Sequence, residues 1–219
     1  MNNITILIIL GVVSLIFLII IRMNSGKLEV TRFISTLLAT LIGVLLAVTL
    51  SNNANIKKEK EDTVKLLNSA NRIIDMTYDY TIGLESYLTE LEKDTIKSTD
   101  SIISSFKEMN PLPYPASLET IISNELISKN MSEFSFVTIN SVIINLNRVH
   151  EYERINSYKR SLKELELLLE LEIEYQRGTL KLEAMNDEYV SKSKDFSKKF
   201  SDPNTKSVEV LENEQRQYN

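Results

Sequence analysis

Two runs of eighteen residues without a charged side chain stand near the start of the chain, Ile4–Ile21 and Phe33–Leu50. As helices, each would span roughly 27 Å, which is close to the hydrocarbon thickness of a bilayer. About ten residues that include Gly26 join them, so the pattern predicts a transmembrane hairpin with both termini on one side. A signal peptide is the alternative for the first run, but a second run follows it at once.

The basic residues beside the two runs are expected at the membrane interface. They are Arg22, Lys27 and Arg32 between the runs, and Lys57, Lys58 and Lys60 after the second run. The two groups are nearly balanced, and we place the C-terminal region in the cytoplasm because its basic group, with Lys65, is slightly larger. The opposing argument is that Arg22 and Arg32 lie closer to their spans. Abundant Ile, Asn, Lys and Ser are typical of an AT-rich bacterial genome, and we therefore expect a multi-pass protein of the bacterial inner membrane.

The second run carries a face of small side chains, which we call the small-residue face. It consists of Ser35, Ala39, Gly43 and Ala47 at every fourth position, flanked by Thr36 and Thr40. Residues four apart share a helix face, and small faces let helices approach closely in lipid. Two interpretations stay open. The face packs against Gly11 and Ser14 of the first run, or it packs between subunits with the two threonines near a central pore axis.

The remainder of the chain is charged and periodic. From Asn55 to Lys97 the apolar residues and threonines keep a helical period of three and four. This stripe consists of Thr63, Leu67, Ala70, Ile74, Thr77, Thr81, Leu84, Leu88 and Leu91, with Leu66, Ile73, Tyr80 and Tyr87 beside it. We expect all of it to face other helices, and we expect a hinge or break at the poor helix formers Asn52, Asn53 and Asn55.

Four further segments have helical patterns: residues 98–107, 117–129, 134–156 and 158–198, the last kinked at Gly178. The prolines of residues 110–117, NPLPYPAS, predict a rigid crossover between two of them. The sequence thus predicts an all-α membrane protein, with a two-helix transmembrane hairpin followed by a soluble bundle of about four helices. Its predicted domains are the hairpin over 1–54, the bundle over 55–200 and a flexible tail over 201–219.

Catalytic chemistry is not indicated. The chain has no cysteine and a single histidine, His150, whose polar neighbours suggest an ordinary surface position. No nucleophile relay, phosphate-binding loop or metal-ligand spacing is recognisable. We therefore expect no enzymatic activity, no metal and no cofactor. After residue 50 the net charge is −7, which argues against a general nucleic-acid binder.

One basic cluster lies within sixteen residues: Arg148, Arg154, Lys159, Arg160 and Lys163. Tyr152 and Tyr158 are interleaved with it. Arginines bind phosphates and aromatic rings stack on bases, so this cluster is our candidate site for a phosphate or nucleotide ligand. The alternative is an ordinary salt-bridged surface, because Glu151 and Glu153 dilute the charge.

The layout of Ile4–Ile21, Phe33–Leu50 and the helical region from Asn55 resembles the small two-span membrane effectors of bacterial anti-phage defence, such as the Hailong channel subunit. The resemblance covers the whole chain by layout and rests on no diagnostic motif. It implies a homo-oligomeric channel in the bilayer, taken here as a tetramer, whose second spans line or brace the pore. It also implies that a nucleotide or oligonucleotide signal from a partner enzyme regulates the bundle.

Two other functions fit the same layout. The first is a membrane-tethered, non-conducting sensor or scaffold that binds a partner through the bundle. The second is a holin-like or toxin-like peptide, although the bundle is larger than simple lysis requires.

Overall fold

The computed structural model describes residues 28–93, 100–151 and 154–201, together with residues 11–12, 14–16 and 19. Seven helices lie in the three longer stretches: α1 (Leu28–Lys93), α2 (Asp100–Met109), α3 (Ala116–Ile122), α4 (Glu125–Asn130), α5 (Glu133–Glu151), α6 (Ile155–Arg177) and α7 (Leu182–Lys199). Every regular element of this described part is helical, which confirms the all-α prediction. The chain divides into two compact units, Met1–Glu59 and Lys60–Asn219.

In the first unit, the run Phe33–Leu50 is helical throughout and has no buried residue. Among the described residues, Arg32–Lys93 is the one helix whose length and composition would allow it to cross a membrane. Most of the first run lies outside the described residues, as do residues 202–219 of the predicted tail. The hairpin and the tail therefore stay predictions.

The predicted break at the asparagines is wrong. Asn52, Asn53 and Asn55 are helical residues within α1, and the boundary between the units falls four residues later, after Glu59. Asparagine costs less than about 0.7 kcal/mol in a helix. Three such residues do not break a helix that continues on both sides of them.

The core of the second unit confirms the main stripe of α1. Its nine residues, at alternating spacings of four and three, are all buried: Thr63, Leu67, Ala70, Ile74, Thr77, Thr81, Leu84, Leu88 and Leu91. A period near 3.5 keeps one narrow seam against neighbouring helices. The row beside it is only partly covered: Leu66 and Ile73 are half-buried and Leu66 packs against the core, whereas Tyr80 and Tyr87 are each about half exposed. The ring of Tyr87 still contacts Phe106 of α2, so the wide stripe is confirmed in part.

Helix α6 is the central helix of this unit. It packs against both α5 and α7, and Lys159 and Lys163 also reach α1. Thirteen of its residues are buried, on every side. A helix with neighbours all round buries even its polar positions, so Glu164 and Glu172 are buried although glutamate usually lies on the surface.

Glu172 is fully buried without a cation bonded to it among the described residues. Its carboxylate accepts from the Ser132 backbone amide at 3.1 Å, the Ser132 hydroxyl at 2.6 Å and Gln176 Nε2 at 2.7 Å. Gln176 Nε2 also donates to the Asn130 carbonyl oxygen at 2.6 Å. These bonds satisfy the buried charge and fix the start of α5 against α6.

The described part of the chain has seven helices, more than a bundle of about four, because two of the five segments with a helical pattern are each divided. Asn124 separates α3 from α4, and its side chain caps α4 by accepting from the Leu126 amide at 2.9 Å. Gly178 ends α6 in the left-handed conformation, with φ 76°, instead of kinking a longer helix. Glycine is favoured there because it has no Cβ to clash with the carbonyl oxygen.

The proline segment is clamped to the bundle by two aromatic residues. The chain is not helical between Asn110 and Pro115. His150 Nε2 donates to the Leu112 carbonyl oxygen at 2.7 Å, and the Tyr158 hydroxyl donates to the Pro113 carbonyl oxygen. His150 is therefore a half-buried structural contact and not the ordinary surface residue we expected. Its polar sequence neighbours gave no sign of the crossover segment that covers it.

Candidate functional site

A polar groove of 510 Å³ lies among α5, α6 and α7, and three arginines open onto it: Arg148, Arg154 and Arg160. The only acidic residue lining it, within the described ranges, is Glu164, so the lining carries a net charge of +2. The remaining lining is mostly hydroxyls and an amide, including Ser141, Ser157, Ser193 and Asn145. We call this site the arginine groove.

Arg148 lies near the end of α5 and is oriented by its own helix. Its Nη2 donates to Asn145 Oδ1 at 2.8 Å, and Asn145 Nδ2 donates to the Ser161 hydroxyl of α6 at 2.9 Å. The relay holds the exposed guanidinium at the rim of the groove. Arg154 directly precedes α6 and is exposed at the same rim.

Arg160 is held one turn into α6 by a carboxylate. Its Nε donates to Glu164 Oε1 at 2.9 Å, and the Ser193 hydroxyl of α7 donates to the same oxygen at 3.1 Å. One carboxylate oxygen therefore joins the arginine to α7. Nearby Tyr189 has its pKa raised, first by burial and then by the negative charge of Glu164.

The two lysines of the predicted cluster lie on another side of α6. Lys159 is nearly buried and its Nζ is 2.7 Å from both carboxylate oxygens of Glu85 in α1. Lys163 Nζ pairs with Glu166 and lies 4.2 Å from the ring centroid of Tyr78. Lys159 and Lys163 share a face because they are four residues apart, whereas Arg160 is rotated by about 100° from Lys159. The structure thus brings three of the five basic residues together and directs the other two to α1.

Of the twelve residues that line the groove, the sequence indicated only the three arginines; those it missed include Asn145, Glu164, Tyr189 and Ser193. Their spacings carried a signal. Glu164 follows Arg160 by four residues, Arg148 follows Asn145 by three, and Ser193 follows Tyr189 by four. Such pairs share a helix face. What the spacing alone did not show is that the three faces meet.

The small-residue face of α1 is uncovered in the described part of the chain. A Cβ placed on Gly43 would meet nothing within 4 Å, and Ala39 and Ala47 are exposed. Thr36 donates to the Arg32 carbonyl oxygen and Thr40 to that of Thr36, both at 2.9 Å. Half-buried Ser35 has a partner of its own. The hydroxyls of the two threonines are therefore satisfied within the helix, which suits an apolar environment.

The residues predicted at the membrane interface are only partly described. Arg32, Lys57, Lys58 and Lys60 are exposed on α1. Arg22 and Lys27 lie outside the described residues. The assignment of this set to an interface stays a prediction.

No protein-family model, no curated protein and no solved structure matches this chain. Its function has to be inferred from its own residues.

Proposed function

We propose that the chain is a subunit of a homo-oligomeric membrane channel or membrane-disrupting effector, gated through its helical bundle, in bacterial anti-phage defence. In this proposal residues 4–21 and 33–50 form a hairpin in the inner membrane and the bundle is cytoplasmic. Four copies assemble, and a nucleotide or oligonucleotide signal from a partner enzyme regulates them. The defence role rests on the resemblance in layout alone.

The observation that supports assembly is the uncovered small-residue face. Lipid tails are as apolar as leucine, so apolar burial gives no drive for helix association within a bilayer. Close backbone packing supplies it instead, and a face built from Ala39, Gly43 and Ala47 offers that packing. Because the threonine hydroxyls already bond within α1, the face meets another helix with no donor unsatisfied.

The observation that supports gating is the independence of the second unit. Its hydrophobic core is built from its own helices around α6. A bundle of this kind can change its shape on binding a signal while the span stays in the bilayer. Regulation then needs only a difference in ligand affinity between two arrangements of the bundle.

The test is ion flux from liposomes that contain the purified full chain. Gly43→Leu adds bulk to the small-residue face. Leu41→Phe adds bulk to the opposite side of the same helix, because the two positions are about 200° apart, and it serves as the matched control. We expect Gly43→Leu to lower flux at least tenfold and to shift the oligomer size in detergent, while Leu41→Phe leaves both near wild type.

Two outcomes would count against the proposal. Equal flux in wild type and Gly43→Leu would show that the small-residue face is not an interface. No flux from well-inserted wild type, with and without nucleotides or oligonucleotides, would remove the channel function itself.

A tethered, non-conducting scaffold is the second candidate, and the exposed apolar side chains of the bundle favour it. Met76, Met109 and Ile144 are each more than 70% exposed. Exposed apolar residues of this size are typical of contact surfaces when they occur together. A silent but correctly inserted protein that binds a partner through Met76 and Tyr80 would fit this candidate.

A further inference from the structure

We propose that the arginine groove binds a small phosphate-bearing ligand and that Glu164 is its built-in competitor. The inference deepens the proposed function, on which it rests for the consequence of binding. The binding step itself needs neither a pore nor an assembled channel. The binding step can therefore be tested separately from the channel function.

The charge of the groove is the first argument. The whole chain carries a net charge of −5, yet this lining carries three arginines against one glutamate. An anion bound in the groove would be attracted by all three arginines. The 510 Å³ of the groove falls within the usual range for small-molecule sites.

The donor chemistry suits a phosphate. A guanidinium presents a planar fork of N–H groups that matches two oxygens of a phosphate. Arg148 uses Nη2 for Asn145, and Arg160 uses Nε for Glu164. Each bond orients a guanidinium and leaves its other N–H groups to donate to a phosphate. The hydroxyls of Ser141 and Ser157 line the same space and can donate to further phosphate oxygens.

Glu164 makes the site self-regulated. Its side chain is only 8% exposed, and one of its oxygens accepts from both Arg160 and Ser193. A phosphate bound at the remaining nitrogens of Arg160 shares the guanidinium with that carboxylate and weakens their charge-assisted bond. The same carboxylate oxygen holds Ser193 of α7, so ligand binding changes how firmly α7 is held.

The experiment measures binding of pyrophosphate to the full chain in a neutral detergent by isothermal titration calorimetry. Arg160→Gln and the double change Arg148→Gln with Arg154→Gln remove groove charges. Arg177→Gln removes an exposed arginine at the far end of α6 and is the matched control. We expect about tenfold weaker binding for each groove arginine removed, and affinity within twofold of wild type for the control.

Glu164→Gln separates the proposal from simple loss of folding. The amide oxygen still accepts from Arg160 and Ser193, but the competing charge is gone, so we expect pyrophosphate to bind several-fold more tightly. A misfolded variant cannot give that gain. Far-UV circular dichroism confirms that each variant keeps its helix content.

The proposal is overturned if wild type does not bind pyrophosphate, if Arg177→Gln weakens binding as much as Arg160→Gln, or if Glu164→Gln weakens it. Vesicles of phosphatidylglycerol identify the source of the phosphate. Competition with pyrophosphate assigns a lipid headgroup as one carrier, and lack of competition restricts the ligand to soluble compounds. Binding without any flux in liposomes would leave this inference intact and remove the channel function alone.

Discussion

Replacing Lys159 and replacing Glu85, the two partners of one ion pair, should have unequal effects on stability. The side chain of Lys159 is 10% exposed, and that of Glu85 is 35% exposed. Removing one partner of a buried pair costs about 3–5 kcal/mol because the other charge is left without compensation. Water reaches Glu85, so we take a lower value of about 2 kcal/mol for Glu85→Gln, which strands the nearly buried ammonium.

Lys159→Met should lower the free energy of unfolding much less than Glu85→Gln. Methionine fills a similar volume with an apolar chain, and the remaining Glu85 carboxylate is exposed enough to be hydrated. The contact of Lys159 Nζ with the Phe200 ring, 5.9 Å to its centroid, is lost as well. That contact contributes about 0.5 kcal/mol, so we expect a total cost below about 1 kcal/mol.

Thermal unfolding in detergent can resolve this difference. All nine tyrosines lie after residue 60, so near-ultraviolet circular dichroism of tyrosine follows the second unit alone. For a chain of this size about 1 kcal/mol corresponds to 2–4 °C. Glu85→Gln should lower Tm by about 4–8 °C, Lys159→Met by less than about 4 °C, and the exposed control Glu90→Gln by less than about 2 °C. If Lys159→Met lowers Tm as much as Glu85→Gln, the desolvation argument is wrong.

Two further predictions concern backbone and pH. Gly178→Ala should lower the free energy of unfolding by about 1–2 kcal/mol, because φ 76° disfavours any Cβ even where space is open. Gly83→Ala lies in a helix interior and should raise it by about 0.5–1 kcal/mol. The two variants should therefore shift Tm in opposite directions. Burial, then the bond to Glu119, raises the pKa of Tyr114 to about 12, and burial raises that of Tyr158. A raised phenol pKa means that the folded state binds the phenol proton more tightly than the unfolded state does, and this difference stabilises the fold. The stabilisation is complete below pH 10 and is lost as pH rises through the folded pKa. Absorbance at 295 nm should therefore show late titration that Tyr114→Phe reduces, and Tyr158→Phe should flatten the fall of Tm above pH 10.

The parts of the fold that the sequence predicted correctly are those set by local periodicity. The stripe from Thr63 to Leu91 could be identified because a helix with one buried side repeats every three or four residues. The stop at Gly178 was available too, since glycine after an amphipathic run is a common helix terminator. The sequence predicts a kink there instead, because the helical pattern resumes after the glycine. The break at Asn124 depends on an N-cap hydrogen bond from its side chain. The apolar pattern of this segment gave no sign of it.

The parts that could not be predicted depend on how many neighbours a helix has. Glu164 and Glu172 look like surface charges in a row of glutamates, and only the packing of α6 against α1, α5 and α7 buries them. The division of the basic cluster between two sides of α6 has the same cause. Five cations within sixteen residues specify a local charge density, but the direction of each follows from which helix covers which side of α6.

Lys159 of the ion pair with α1 and Arg160 of the arginine groove are consecutive residues of α6. This arrangement limits which helices a ligand in the groove can displace. Lys159 holds α6 to α1 through Glu85, while Arg160 holds Glu164, which accepts from Ser193 of α7. Helix α7 has one buried residue, against thirteen in α6. Elements with few buried contacts open at the lowest free energy. A ligand that weakens the bond between Arg160 and Glu164 disturbs the carboxylate that holds Ser193, so any displacement should be of α7 and not of α6. Phe200, which follows α7, lies over the Lys159 ammonium, so the displacement alters the surroundings of the ion pair with α1. The chemistry of the groove can in this way reach α1 although its ligand does not touch that helix.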